Sequence, residues 1–384
     1  MLYLHSNDPS TAAQTLRRGI DRLVAEIPWL AGDVVIHKEP ESRGFIHLPR
    51  TAPHEVPVLR IKYFDSDEAF RTHPTGAISA CFFSFHPRSN GPSCASSQLF
   101  PSKIALVMSF SHMAFDGSGA GTVLQALSEC CRVAAARSLE MPVTQTILGE
   151  AISHRTQVSA SASECQTRLD HILELGPSAF DSNLTTEQWG AMESALSSAS
   201  TMHPDRIRTG TPSHIFMVAD LRCRINPPLP ETYMGNMIYP GIGNIMTPSN
   251  HVDFLNLTQL ALELRTKVIS NMNEALAKSC CAAVSEGGDW YRLEGKPADV
   301  VMTSWRHLKV YSLYFGPGLG YIEDFESGLA LIPGACIMLP QRTREVPPTA
   351  PVQWEASVTL RPGNYETLVK DPAVVSNCAH LLPA

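Results

Sequence analysis

The chain has 384 residues and a net charge of −7 at pH 7, with 30 Lys and Arg against 37 Asp and Glu. Hydrophobic residues make up 44% and charged residues only 17%, which excludes a disordered tail or a solvated coiled coil and allows a sizeable core. A net negative chain is a poor partner for nucleic acid or an anionic membrane surface. The length suggests two domains or one large one.

Cysteine usage and the chain start predict a cytoplasmic protein. The ten cysteines include no Cys-x-x-Cys pair, so a disulfide scaffold, a zinc ribbon and a redox site are disfavoured. The first residues lack a basic region followed by an apolar run, so we expect no signal peptide. The longest apolar stretch, 329–339, is broken by Pro333 and Gly334 and falls short of the ~20 residues of a membrane helix.

The first predicted element is an amphipathic helix. Asp8 can cap it and Pro9 suits its first position, while Pro28 ends it. Its buried face is predicted to comprise Leu16, Ile20, Leu23, Val24 and Ile27. The polar, proline-rich stretch 36–58 then predicts loops and short edge strands.

Further strands and helices are predicted in both halves of the chain. Buried strands are predicted at 78–85, 104–110, 214–219, 300–305, 329–339 and 352–360, and helices after Gly117, around 257–268 and at 364–370. The Ser- and Thr-rich stretch 158–208 predicts a crossover between domains. This mixture favours an α/β fold.

His112 and Asp116 form a His-x-x-x-Asp-Gly motif between the strand at 104–110 and the following helix. A neutral imidazole with a pKa of ~6.5 suits general-base chemistry when a partner orients it. Gly117 allows backbone to approach a ligand closely. Alone, the motif also fits a hydrogen-bonded structural histidine or a shared metal ion.

Three other runs give the motif a context. They are Asp220-Leu221-Arg222-Cys223-Arg224 continuing to Tyr233-Met234-Gly235-Asn236, Thr303-Ser304-Trp305 followed by Tyr314-Phe315-Gly316-Pro317-Gly318, and Glu26-Ile27-Pro28-Trp29-Leu30-Ala31-Gly32. In this order, from residue 20 to 360, the sequence resembles the CoA-dependent BAHD acyltransferases, and within them the fungal transferases of secondary metabolism such as trichothecene 3-O-acetyltransferases.

The resemblance implies an α/β fold of two chloramphenicol-acetyltransferase-like domains with mixed sheets flanked by helices. The domains would span 1–165 and 209–384, joined by a crossover at 166–208, with an active-site channel between them. His112 would be the general base and Asp116 would hold its loop. Thr303 and Trp305 would line the acceptor and oxyanion side.

The resemblance also implies the ligands. Acyl-CoA would be a co-substrate, with no permanently bound cofactor or metal, and a small natural product would accept the acyl group on a hydroxyl or amine. No acyl-enzyme would form, which agrees with the absence of a Gly-x-Ser-x-Gly elbow in the sequence. The expected protein is a monomer without nucleic-acid or membrane partners.

The sequence departs from the family at its second motif, Asp-Phe-Gly-Trp-Gly. Tyr314 replaces the Asp and Pro317 the Trp, whereas Gly316 and Gly318 match. The family's Asp pairs with an arginine, so Arg222 or Arg224 would lack this partner or would use Glu323 or Asp324. The family's N-terminal strand with its Leu-x-x-Leu-Asp segment is also missing, which predicts a partly open channel wall.

Several alternatives stay open at this point. The altered motif also fits a non-acylating member that uses the cavity for ligand binding or a pericyclic reaction. A carrier-dependent condensation enzyme would need a second histidine where Ser111 stands. The glycine clusters 117–121 and 316–320 lack dinucleotide-binding spacing. Lys309, Arg342 and Arg344 would contact CoA phosphates or form a solvated face.

Overall fold

The computed structural model describes only part of the chain, including most of the predicted site segments. The described residues are 2–27, 30, 33–36, 45–48, 59–63, 95–99, 103–108, 115–136, 212–246, 261–262, 264–266, 273–275, 277–278, 300–327, 334–342, 354–360 and 362–370.

The described elements mix strands and helices in both halves, which confirms the α/β prediction. The strands are β1 (Leu2–His5), β2 (Asp33–Ile36), β3 (Phe45–Leu48), β4 (Leu59–Tyr63), β5 (Ala95–Leu99), β6 (Lys103–Val107), β7 (Pro212–Asp220), β8 (Ile238–Met246), β9 (Val300–Ser304), β10 (Ile322–Phe325), β11 (Ala335–Met338) and β12 (Ala356–Val358). The longer described helices are α1 (Pro9–Glu26), α2 (Gly117–Ala136) and α3 (Pro362–Leu368).

The first sheet has the strand order β10-β1-β6-β5-β4. Strand β1, second in this order, pairs antiparallel with β6 on one side and with β10 on the other. The pairing places His5 opposite Lys103, at the start of β6, whereas Asp116 follows the other end of that strand. Because β10 comes from beyond residue 300, the second half of the chain contributes a strand to this sheet, an exchange that the domain limits predicted from sequence do not include.

The second sheet has the order β12-β11-β9-β7-β8. Strand β9 lies parallel to both of its neighbours, β7 and β11, whereas the outer pairs are antiparallel, so the sheet is mixed. Strands β2 and β3 form a separate antiparallel pair. The end of β9 therefore presents the Thr303 to Trp305 segment from the interior of a sheet, which is a rigid support for a site.

Helix α1 begins where the sequence predicts. The carboxylate of Asp8 accepts hydrogen bonds from the backbone N–H groups of Ser10 and Thr11 at 3.1 and 3.2 Å, and Pro9 occupies the first turn. The hydroxyl and then the N–H of Thr11 lower the pKa of Asp8. The predicted apolar face is buried at Leu16, Ile20, Leu23 and Ile27, all at 1% exposure or less.

Helices α1 and α2 pack closely against each other. A Cβ atom on Gly19 would lie 2.3 Å from the Sγ atom of Cys131, so this glycine allows the helix backbones to approach. Val123, Leu124, Leu127 and Cys131 form the buried face of α2. The main core therefore lies between these helices and the first sheet.

The described strands confirm most of the sequence predictions. Predicted strands at 104–110, 214–219, 300–305, 329–339 and 352–360 correspond to β6, β7, β9, β11 and β12. The predicted strand at 78–85 and the crossover at 158–208 lie outside the described residues. Strands β1, β2, β4, β5, β8 and β10 were not predicted. Within the described ranges, no helix combines the length and hydrophobicity that a bilayer crossing requires.

Candidate active site

Asp116 is fully buried at the start of α2. Its Oδ1 atom accepts a hydrogen bond from the N–H of Gly119 at 2.8 Å, and its Oδ2 atom accepts one from the N–H of Met237, also at 2.8 Å. Gly119 belongs to the first turn of α2, whereas Met237 lies 121 residues further along the chain. One carboxylate thus caps the helix and fixes a distant segment against it.

Arg222 completes the charge pair. Its Nη2 atom lies 2.8 Å from Oδ1 of Asp116, and its side chain is 5% exposed. It also bonds to Asp220 at 3.1 Å and to the carbonyl oxygens of Tyr233 and Gly235 at 3.0 and 2.7 Å. Four acceptors therefore surround the guanidinium of Arg222. This number suits a planar group that carries several N–H donors in fixed directions.

The electrostatics of Arg222 follow from these contacts. Burial disfavours the charged guanidinium, but the hydrogen bond and charge of Asp116, followed by those of Asp220, outweigh burial and raise the pKa of Arg222. For Arg222 the expectation of Glu323 or Asp324 as substitute partners was wrong, because the Asp of the His-x-x-x-Asp motif holds this arginine directly. Arg224 makes a backbone hydrogen bond to Leu221.

In the loop of the second motif, Tyr314 stands where the family has an Asp, and its contacts show why the Asp116–Arg222 pair does not depend on that acid. The ring of Tyr314 lies 4.8 Å from that of Tyr321, and the two residues form a β-bridge. Gly316 has a φ angle of +103°, a conformation that favours glycine, whereas Gly318 is not in the left-handed region. The loop therefore closes on itself through two tyrosines.

Restoring the family's Asp at position 314 should not raise the melting temperature. We expect Tyr314→Asp to leave the melting temperature unchanged or lower, because Arg222 already has its acceptors and the substitution removes a ring contact worth about 0.5–1.5 kcal/mol. Tyr314→Phe, which keeps the ring, is the matched control in differential scanning fluorimetry. A rise in melting temperature for the Asp variant alone would contradict this assignment.

Trp305 lies against the first residue of α2. An added Cβ atom on Gly117 would fall 2.7 Å from the indole Nε1 atom, so the absence of a side chain there makes room for the indole. The ring of Trp305 also meets that of Phe325 in β10 edge to face, with centroids 6.0 Å apart. Thr303 lies two residues earlier, half-buried in β9, so both predicted oxyanion-side residues come from one strand end.

The glycine cluster at 117–121 is explained by close packing rather than by a nucleotide. Added Cβ atoms would fall 2.0 Å from the carbonyl oxygen of Met234 at Gly119 and 2.6 Å from the side chain of Leu308 at Gly121. The start of α2 thus contacts two distant segments, 233–237 and 304–308, with no room for methyl groups.

This packing makes a direct prediction about Gly119. We expect Gly119→Ala to lower the melting temperature, because the clash is with backbone and overpacking costs about 1–3 kcal/mol, more than alanine gains in a helix. Gly318→Ala is the control, since its nearest atom would be 3.9 Å away. Equal melting temperatures for the two variants would show that the segments are not in tight contact.

Ser118 and His307 join the site and were missed from sequence. The Ser118 hydroxyl donates to Oδ2 of Asp220 at 2.9 Å and lies 2.9 Å from Nε2 of His307. The two residues are 189 positions apart, and a single sequence carries no signal for such a pair.

Arg342, considered as a CoA-phosphate contact, is occupied within the protein. Its guanidinium pairs with Asp324 and Glu355 and stacks over the ring of Tyr311 at 5.0 Å. It therefore connects β10 of the first sheet with the segment before β12 of the second. Among the described residues no cluster of three metal-ligating side chains occurs. His112 and Arg344 lie outside the described residues.

Comparisons with known proteins find similar transferases. The sequence matches the Transferase family over residues 189–363. It is 26% identical to communesin N16 acyltransferase of Penicillium expansum and 24% identical to fumigaclavine B O-acetyltransferase of Aspergillus fumigatus, in both cases over 96% of this chain and 92% of the relative.

Solved structures share the fold. TRI101 of F. sporotrichioides, crystallised with coenzyme A and T-2, superposes with a TM-score of 0.66 at 17% identity, covering 98% of this chain and 93% of that one. Vinorine synthase gives a TM-score of 0.59 at 16% identity over 98% and 88%. The chain is an acyltransferase. The resemblance to the BAHD superfamily, and within it to fungal O-acetyltransferases, is confirmed.

Proposed function

We propose that the protein transfers an acyl group from acyl-CoA, in the first instance acetyl-CoA, to a hydroxyl or amine of a small natural product. The observation that carries this proposal is the meeting of three distant segments at the start of α2. Asp116 and Arg222 are buried there as a pair, and the Trp305 indole lies against Gly117. The coenzyme A bound to the similar TRI101 structure supports the choice of acyl donor.

In this proposal His112, five residues before the start of α2 in the sequence, acts as the general base. Its neutral imidazole removes the proton of the acceptor, whose oxygen or nitrogen attacks the thioester carbonyl and forms a tetrahedral intermediate. Collapse of the intermediate breaks the C–S bond, and the CoA thiolate takes the proton from the imidazolium. The acyl group passes directly to the acceptor, so no acyl-enzyme forms.

Trp305 and Thr303 are proposed to stabilise the oxyanion of that intermediate. An indole N–H and a hydroxyl can each donate a hydrogen bond to developing negative charge, and removing one such donor costs about 10²–10³-fold in kcat elsewhere. The Nε1 atom of Trp305 lies beside Gly117, a residue that follows His112 by five positions in the sequence, which supports this role.

Asp116 is proposed to position the base rather than to exchange protons with substrate. Its carboxylate is occupied by two N–H groups and a guanidinium. It lies four residues after His112, so it fixes the backbone at the point where the loop becomes helix. The feature that motivated a non-acylating alternative, the lost acid at Tyr314, does not disturb this pair.

We further propose the domain division 1–165, 166–208 and 209–384, with strand β10 exchanged into the first sheet and a channel between the domains. CoA and the acceptor would enter this channel from opposite faces. The proposed protein is a cytoplasmic monomer with no permanently bound cofactor.

The test combines binding and turnover. Titration calorimetry with acetyl-CoA should give saturable binding, and incubation with acetyl-CoA and fumigaclavine B, an acceptor suggested by the name of one relative, should release free CoA thiol. A panel of other alkaloid and terpenoid alcohols and amines, analysed by mass spectrometry, widens the search. Absence of acetyl-CoA binding would contradict the proposal and favour the non-acylating alternative.

A further inference from the structure

The hydrogen bond between Ser118 and His307 joins the two halves of the protein at the proposed site. Ser118 is the second residue of α2, and His307 lies two residues after Trp305 on the turn that follows β9. The oxygen and nitrogen atoms are 2.9 Å apart. This contact therefore links the helix that follows the proposed base to the segment that carries the proposed oxyanion donors.

The direction of this hydrogen bond follows from the partners of Ser118. A serine hydroxyl has one proton, and an ionised carboxylate can only accept. Ser118 donates to Oδ2 of Asp220 at 2.9 Å, so it accepts from His307, whose Nε2 atom carries the proton. Asp220 is itself held by Arg222 at 3.1 Å.

A continuous chain of polar contacts results. It runs from Asp116 through Arg222, Asp220 and Ser118 to His307, with consecutive atoms 2.8–3.1 Å apart. Its first members are buried, whereas His307 is exposed. The buried Asp116–Arg222 pair is thus connected to the exposed turn at His307 through Asp220 and the hydroxyl of Ser118.

The turn that bears Trp305 is held from its other side by strand β11. The N–H of Trp305 donates to the carbonyl oxygen of Met338 at 2.8 Å, and the N–H of Leu308 donates to the carbonyl oxygen of Trp305 at 2.9 Å. The first bond anchors the turn to the second sheet and the second closes the turn on itself, but neither determines how closely the turn approaches α2. The hydrogen bond between Ser118 and His307 spans this gap.

We propose that Ser118 and His307 are positioning residues for acyl transfer. Their hydrogen bond holds the Trp305 turn on the start of α2, so that the indole N–H keeps a fixed place beside Gly117. The inference rests on the proposed function for its kinetic consequence, but not for the position of the indole. Because His307 is exposed, the bond contributes little net stability, and its loss should change turnover more than folding.

The test uses three variants and a control. His307→Leu removes the donor, Ser118→Ala removes the acceptor, and His307→Gln keeps an N–H group at the reach of Nε2. His5→Leu is the matched control, since this exposed histidine ends β1 at the opposite end of the first sheet.

The first readout is independent of catalysis. In protein labelled with ¹⁵N-tryptophan, the five indole N–H groups give separate signals, and Trp305→Phe assigns the relevant one. We expect this signal to shift in His307→Leu and Ser118→Ala, to return towards its wild-type place in His307→Gln, and to stay unchanged in His5→Leu. An unshifted signal in both of the first two variants would overturn the proposal, even if the wild type proves not to transfer acyl groups.

The second readout is kinetic. With acetyl-CoA and an accepted alcohol or amine, kcat should fall about 10–10²-fold in His307→Leu and Ser118→Ala, the scale of a small misplacement of a catalytic group. KM for acetyl-CoA and the melting temperature should stay near wild-type values, and His307→Gln should recover most of kcat.

The double variant His307→Leu with Ser118→Ala should be no slower than Ser118→Ala alone, because Ser118→Ala already removes the bond to His307 together with the one to Asp220. Additive losses, or a melting temperature that falls in proportion to kcat, would mean a merely structural role. A wild type that binds no acetyl-CoA would contradict the proposed function and remove the kinetic consequence, while the indole signal still decides whether the pair positions Trp305.

Discussion

The His112→Ala variant is expected to lower kcat about 10²–10⁴-fold, the usual contribution of a positioned general acid–base group. The reason is that an alcohol with a pKa far above neutrality needs a base within hydrogen-bonding reach while it attacks the thioester. KM for acetyl-CoA should change little, because the imidazole acts on the acceptor proton rather than on CoA. The fold should survive, since the Asp116–Arg222 pair does not involve this side chain.

Free CoA thiol and acetylated product, measured together, check this expectation. His5→Ala is the control, because His5 is exposed and ends β1 at the far end of the first sheet, and it should retain wild-type turnover. A His112→Ala variant that keeps most of its turnover would show that another group takes the proton, and the assignment of the base would be wrong.

Local patterns predicted much of the fold. Asp8 and Pro9 mark the start of α1 because a carboxylate can satisfy free N–H groups at a helix start and proline needs none. Short apolar runs predicted β6, β7 and β9 because buried strands need continuous hydrophobic residues. Strand β1, with only four residues, and β10, with two acidic residues among its four, carry no such local pattern.

The site was predicted as a set of residues but not as a network. The family motifs indicated Asp116, Arg222 and Trp305, yet the pairing of Asp116 with Arg222 spans 106 positions and could not be deduced from one sequence. The same holds for β10, whose place beside β1 depends on how the second half of the chain returns to the first sheet. The glycines at 117, 119 and 121 illustrate the point, since the segments that approach them lie more than a hundred residues away.

The Asp116→Asn substitution should have the largest effect on stability. Asp116 and Arg222 are almost completely buried, and removing one partner of a buried pair costs about 3–5 kcal/mol because the remaining charge loses its compensation. The amide of Asn lowers the stability further, because its NH₂ group must face either the N–H of Gly119 or that of Met237. Two donors cannot form a hydrogen bond with each other. In a domain of 150–250 residues, each kcal/mol lowers the melting temperature by about 2–4 °C.

Asp324→Asn provides the control for this prediction. Asp324 also pairs with an arginine, but its side chain is 48% exposed and that of Arg342 is 29% exposed, and ion pairs at the surface contribute about 0–1 kcal/mol. Soluble yield and melting temperature should therefore fall sharply for Asp116→Asn and hardly at all for Asp324→Asn. If Asp116→Asn folds with undiminished yield and an unchanged melting temperature, the buried pair does not hold α2 to the 233–237 segment. In that case, the loss of activity expected with the variant would need another cause.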